Sequence, residues 1–135
     1  MDRLILVVMF FGVSLGVRGQ DVSMVNLEWN VKSSFDVQTG FMDEGESKLI
    51  THADKSIEWL DWDGTTKYTF QVSNIRGHWV DVNRSGSITY NIKSGELEGI
   101  LSIERSNSNW LARIMLTTME EPVIYELTLN SVQKL

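Results

Sequence analysis

The chain of 135 residues has no cysteine, one proline, two histidines and a deficit of basic residues. Without cysteine there is no disulfide, no thiol nucleophile and no lipid-carrying cysteine of the bacterial lipoprotein kind. Small domains exported into oxidising compartments commonly rely on disulfides, so an exported cysteine-free chain points to a bacterial source. His52 and His78 lie twenty-six residues apart, which is not a metal-ligand spacing. Over residues 20–135 no G-x-S-x-G elbow, H-E-x-x-H pair, phosphate-binding glycine loop or dinucleotide fingerprint occurs. These absences predict a protein that is not an enzyme and holds neither cofactor nor metal. A carboxylate pair for glycoside cleavage is the one catalytic arrangement left open, because the fold rather than the sequence sets its spacing.

Long apolar runs are also scarce. The one present, Leu4 to Val13, is broken only by Gly12, follows Arg3, and leads to Val17-Arg18-Gly19. Small or compact residues there suit the −3 and −1 positions of a cut before Gln20. The pattern predicts a secretory signal peptide over 1–19 and a mature domain over 20–135, exported to the periplasm or the medium. The run is shorter than the roughly 20 residues a spanning helix needs, and no second one follows, so no membrane span is expected in the mature form.

Cleavage would remove Asp2, Arg3 and Arg18 from the twelve basic and eighteen acidic side chains, leaving ten and seventeen and a side-chain charge of −7. That balance argues against nucleic acid and anionic lipid, both of which are held by clustered Lys and Arg. The mature length suits one domain with its own core.

Within that domain, Val25, Leu27, Trp29 and Val31 alternate with Asn26, Glu28, Asn30 and Lys32. A period of two predicts a strand with one buried face, as in an antiparallel sheet. Phe35 and Val37 extend it past a kink at Ser33-Ser34. The same alternation predicts strands around Tyr68, Phe70 and Val72; around Ile88, Tyr90 and Ile92; from Glu98 to Glu104; around Ala112, Ile114 and Leu116; and from Val123 to Leu129. Turn residues separate them at Asp63-Gly64, Asn83 to Gly86, Ser94-Gly95, Ser106 to Asn109 and Glu120-Glu121-Pro122. One segment is two-sided. Leu49, Ala53, Ile57 and Leu60 fall at helical spacing and Thr51 with Asp54 resembles a capping box, yet Ile57 and Trp59 alternate with Glu58. The reading adopted is a strand over Ser56 to Trp62 with a helical turn before it. The fold class is therefore all-β: an antiparallel meander closed as a small barrel or folded as a two-sheet sandwich.

In size and meander the mature chain resembles lipocalin-like barrels, in architecture only. That family carries G-x-W near the start of its first strand, whereas Gly77-His78-Trp79 lies mid-chain, so no residue roles are carried over.

Five tryptophans mark the candidate site. Trp29 and Trp110 share faces with aliphatic residues and belong to the core. Trp79 alternates with Val80 and Val82 and shares a predicted strand face with Asp81, opposite His78, as an exposed aromatic beside a carboxylate would. Trp79, Asp81, His78, Trp59 and Trp62 are the residues expected to meet a ligand. Asp81 to Ile88 resembles the start of a calcium loop, but Ile92 stands where a bidentate Glu is needed, and a hairpin turn explains the same residues. Asp61 and Asp63 beside Gly64, and the run Asp43 to Glu46, read as solvated turns. The sequon Asn83-Arg84-Ser85 reads as a chance match in a polar turn.

Two functions fit these readings. One is an exported, non-catalytic binding protein for a small apolar, uncharged or carbohydrate ligand. The other is an interaction protein of the cell envelope that meets a partner protein through exposed strands or turns.

Overall fold

The computed structural model describes residues 21–135. The expected signal peptide lies outside the described residues. A short 3-10 turn (η1, Val22–Met24) precedes nine strands: β1 (Asn26–Asp36), β2 (Phe41–Asp43), β3 (Ser47–His52), β4 (Ser56–Asp61), β5 (Thr66–Arg76), β6 (Gly86–Ser94), β7 (Leu97–Ser106), β8 (Asn109–Thr117) and β9 (Val123–Lys134). Each pairs antiparallel with its sequence neighbour from β3 onward, and β9 returns to β1, pairing from Leu27↔Lys134 to Asp36↔Tyr125. That last ladder decides between the two expected architectures. The molecule is a closed eight-stranded barrel of β1 and β3 to β9, with β2 as an additional strand, and not a sandwich. Among the described residues no helix is long and apolar enough to cross a membrane.

The additional strand is in effect the first part of β3. Both pair with the same side of β1, Phe41 to Asp43 opposite Asp36 to Ser34, and Ser47 to His52 opposite Val31 to Asn26. Register moves by one residue between the two stretches, the mark of a bulge across 44–46. A second irregularity, between Val31 and Ser33 in the β1–β9 ladder, sits at the kink read from Ser33-Ser34. It turns Ser34 inward and leaves Phe35 on the outer face.

Closure places the alternating apolar faces of the strands inside, β3 being the exception. Trp29, Leu49, Ile57, Phe70, Ile88, Tyr90, Leu101, Ile114 and Leu127 are fully buried there. Eight strands enclose a bore that side chains of this size fill. Two polar side chains, Ser47 and Thr51, are buried among them because tryptophan brings a donor into the core. Trp59 Nε1 donates to Ser47 Oγ at 3.0 Å, and Trp29 Nε1 to Thr51 Oγ1 at 3.3 Å. Unpartnered, each indole N–H would carry a desolvation cost of about 1–3 kcal/mol.

Those two polar positions also explain a correction. No helical turn precedes Ser56; residues 47–52 are the strand β3. Its inward residues read Ser-Leu-Thr, so the apolar alternation that marks the other strands is missing. Ala53, expected on a helix face, sits at φ 50° in the tight β3–β4 turn.

Candidate functional site

The alternation of strands gathers the β1–β2, β4–β5, β6–β7 and β8–β9 turns at one end of the barrel. The β3–β4, β5–β6 and β7–β8 turns, with η1, lie at the other. The two ends are built differently.

The second end is closed. The β5–β6 connection, residues 77–85, folds under the barrel and inserts Trp79, which is only 2% exposed. This corrects the reading of His78 to Val82 as a strand with an exposed Trp79. The alternation there is real, but Gly77 at φ 98° turns the chain out of β5 before it. Trp79 stacks on Trp29 with centroids 6.0 Å apart, and Trp29 meets Trp110 edge-on at 6.5 Å. Their indoles are tied to the same loop: Trp79 Nε1 donates to the Arg84 carbonyl at 3.1 Å and Trp110 Nε1 to that of Val82 at 2.8 Å. The guanidinium of Arg105 covers the outer side of Trp110 at 4.3 Å. Gly86 is required for this packing, since a Cβ there would fall 2.3 Å from Trp79 Cδ1.

Asp21 fastens η1 to that loop. It accepts from the Ser23 N–H (2.9 Å) and hydroxyl (2.8 Å), from the Trp79 N–H (3.3 Å), and contacts His78 Nδ1 at 3.2 Å. Burial alone would raise its pKa; the bonds from Ser23, His78 and Trp79 outweigh that and hold it below the usual carboxylate value. The imidazole of His78 is otherwise open to solvent. Asp81 accepts from the Asn83 N–H at 2.9 Å and lies 3.6 Å from Arg84 Nε, so its carboxylate is occupied by its own turn.

At the first end a cleft of about 190 Å³ opens between Ser34, Asp36, Phe41, Asp43 and Tyr125 on one side and Trp59 and Lys67 on the other. Its floor is aromatic. Trp59 stacks on Tyr68 (6.0 Å) and meets Tyr125 edge-on (5.1 Å), while Tyr68 stacks in turn on Phe70 (5.4 Å). Tyr125 is pushed up to about 12, mainly by burial and then by its hydrogen bond with Tyr68 and the charge of Asp36, so it is neutral at physiological pH. A polar cleft of about 280 Å³ adjoins, reaching Glu46, Asp61, Trp62 and Asp63. Thr65 bonds to Asp63, N–H to Oδ1 at 2.9 Å, and holds that carboxyl below its ordinary value. Five carboxylates therefore surround the mouth against one ammonium, that of Lys67, which lies 4.5 Å from the centre of the Trp59 ring and 3.6 Å from Asp61 Oδ1.

The five residues singled out from sequence are thus divided. Trp79, His78 and Asp81 belong to the closed end; Trp59 forms the floor of the mouth and Trp62, 78% exposed, stands on its rim. Sequence reasoning passed over Lys67, Tyr68, Tyr125, Asp36 and Phe41. Asp61, Asp63 and the run Asp43 to Glu46 were noticed but read as unrelated turns. Barrel closure is what joins them, and no local pattern reports it. His52 pairs with Glu58 at 2.7 Å at the closed end's β3–β4 hairpin, a different carboxylate from His78's partner Asp21. Comparison with protein families, curated proteins and solved structures finds no match, so the site rests on its own geometry.

Proposed function

We propose that this protein is a non-catalytic binding barrel, exported after removal of residues 1–19, that takes a small ligand at its aromatic mouth. The observation that carries the reading is the contrast of ends: the bore is filled and one end closed by Trp79, while the other leaves a recess over Trp59, Tyr68 and Tyr125. A ligand meets its walls there, stacking a flat face on the aromatics and presenting polar groups to the rim. Intrinsic tryptophan emission, followed through a panel of lipids, hydrophobic dyes, glycans and ammonium compounds, tests it. A saturable change that weakens severalfold in Phe41→Ala is the expected result; no response across the panel overturns it. Mass spectrometry of the chain recovered from its host tests export, with a mature N-terminus at Gln20 expected.

A second reading has its own support. The β1–β2 hairpin exposes Val37, Phe41 and Met42, and β2 leaves an unpaired edge beyond the end of β4. Such an edge accepts a partner's strand. A stoichiometric envelope protein retained by the wild type and lost on Met42→Lys would favour this reading.

A further inference from the structure

We propose that the ligand taken at the mouth is an organic cation, a primary or methylated ammonium that replaces the Lys67 ammonium over Trp59. The inference rests on the binding reading above and narrows it to one chemical class.

Lys67 is the first reason. Its ammonium occupies the position an ammonium ligand would take, 4.5 Å above the Trp59 ring and 3.6 Å from Asp61. An aromatic face attracts a cation through its quadrupole, and tryptophan does so most strongly. Trp59 is held to this orientation by its bond to Ser47 and by its contacts with Tyr68 and Tyr125, so the face is preformed. Lys67 itself is not fixed in the same way. It follows the exposed β4–β5 turn, and its flexible stem can swing the ammonium into solvent. With Lys67 in place Trp59 is 1% exposed, and the proposal requires that departure of the ammonium open this ring face to the cleft.

The rim is the second reason. Asp36, Asp43, Glu46, Asp61 and Asp63 surround the recess, and with Lys67 displaced they face it without a neutralising charge. An uncharged sugar would use their hydrogen bonds but not their field, and an anion would be repelled. The two tyrosines add neutral rings, Tyr125 remaining protonated across the physiological range. Aromatic walls with a carboxylate rim are the arrangement that recognises quaternary and methylated ammonium groups.

The exchange is a competition between an internal and an external cation, and the test exploits it. Benzyltrimethylammonium, its neutral carbon isostere neopentylbenzene, and methyl glucoside are titrated into wild-type protein and into Lys67→Ala, with calorimetry and tryptophan emission as readouts. Lys55→Ala, at the far end, controls for overall charge, and circular dichroism confirms the fold. The expected result is saturable binding of the cation, tightened about tenfold in Lys67→Ala but not in Lys55→Ala, and weakened severalfold by added salt. Equal or tighter binding of either neutral probe, or cation affinity unchanged or lowered in Lys67→Ala, overturns the cation assignment while leaving the binding reading intact. No binding of any probe to either protein overturns both.

Discussion

The two ends of this barrel are built from the same material, yet one is plugged and the other leaves a recess. Each assembles an aromatic cluster beside acidic and basic side chains, three tryptophans under Arg105 at one end, Trp59 with two tyrosines under Lys67 at the other. At the closed end every indole N–H is bonded to backbone or to Thr51, and the loop that supplies the acceptors also supplies Trp79. Geometry there is overdetermined. At the mouth Asp36, Asp43 and Asp63 accept from the N–H groups of their own turns while lining a recess, and the ring is covered by a single lysine ammonium rather than by a loop. The lesson is that aromatic residues by themselves do not mark a site; what covers them, and how firmly, does.

That comparison is broken most severely at Trp79. Truncation in Trp79→Ala removes the plug between Trp29 and Gly86 and should cost about 3–5 kcal/mol in denaturant unfolding, whereas Trp62→Ala, on the mouth rim, should stay within about 0.5 kcal/mol. Equal effects would erase the distinction between the ends. Gly86→Ala leaves the plug present but displaces it, since the new methyl collides with the Trp79 ring; a loss of about 1–3 kcal/mol is expected by the same measurement.

Acidity separates the ends more finely. The lowered pKa of Asp21 means that its contribution to stability is present above the ordinary carboxylate value of about 4 and is lost as pH falls through its lower folded value. Asp21→Asn should flatten the acid limb of a stability profile and lower stability by about 1–2 kcal/mol at neutral pH. Tyr125 responds at the opposite extreme. Its raised pKa makes its contribution complete below the ordinary tyrosine value of about 10 and lost as pH rises through about 12. Tyr125→Phe should reduce the alkaline loss and cost about 0.5–1 kcal/mol near neutrality, less than the change at Asp21.

Much of this architecture was legible in the alternation of apolar residues. It placed β1 and β4 to β9 and their turns, because most inward positions of those strands carry Val, Ile, Leu or an aromatic. β3 escaped because its inward Ser47 and Thr51 answer indole donors on other strands, a pairing no local window contains. The loop at 77–85 was misread for the converse reason: Val80 and Val82 alternate as a strand would, although Gly77 has already turned the chain aside. Trp59 and Trp62 were recognised as candidates, but the mouth as a whole was not. Its carboxylates come from three strands and two connections, and its cation from a residue that looks unremarkable beside Tyr68. Only the β1–β9 ladder brings Asp36 and Tyr125 to face Trp59 and Lys67.

The central claim, that one end is structure and the other a binding site, is tested most directly by amide chemical-shift mapping during titration with benzyltrimethylammonium. The account predicts that perturbations gather at Asp36, Asp43, residues 61–68 and Tyr125, with the amides of 21–24 and 77–86 unmoved. Perturbations centred on η1 and the Trp79 loop, with the mouth silent, would contradict it.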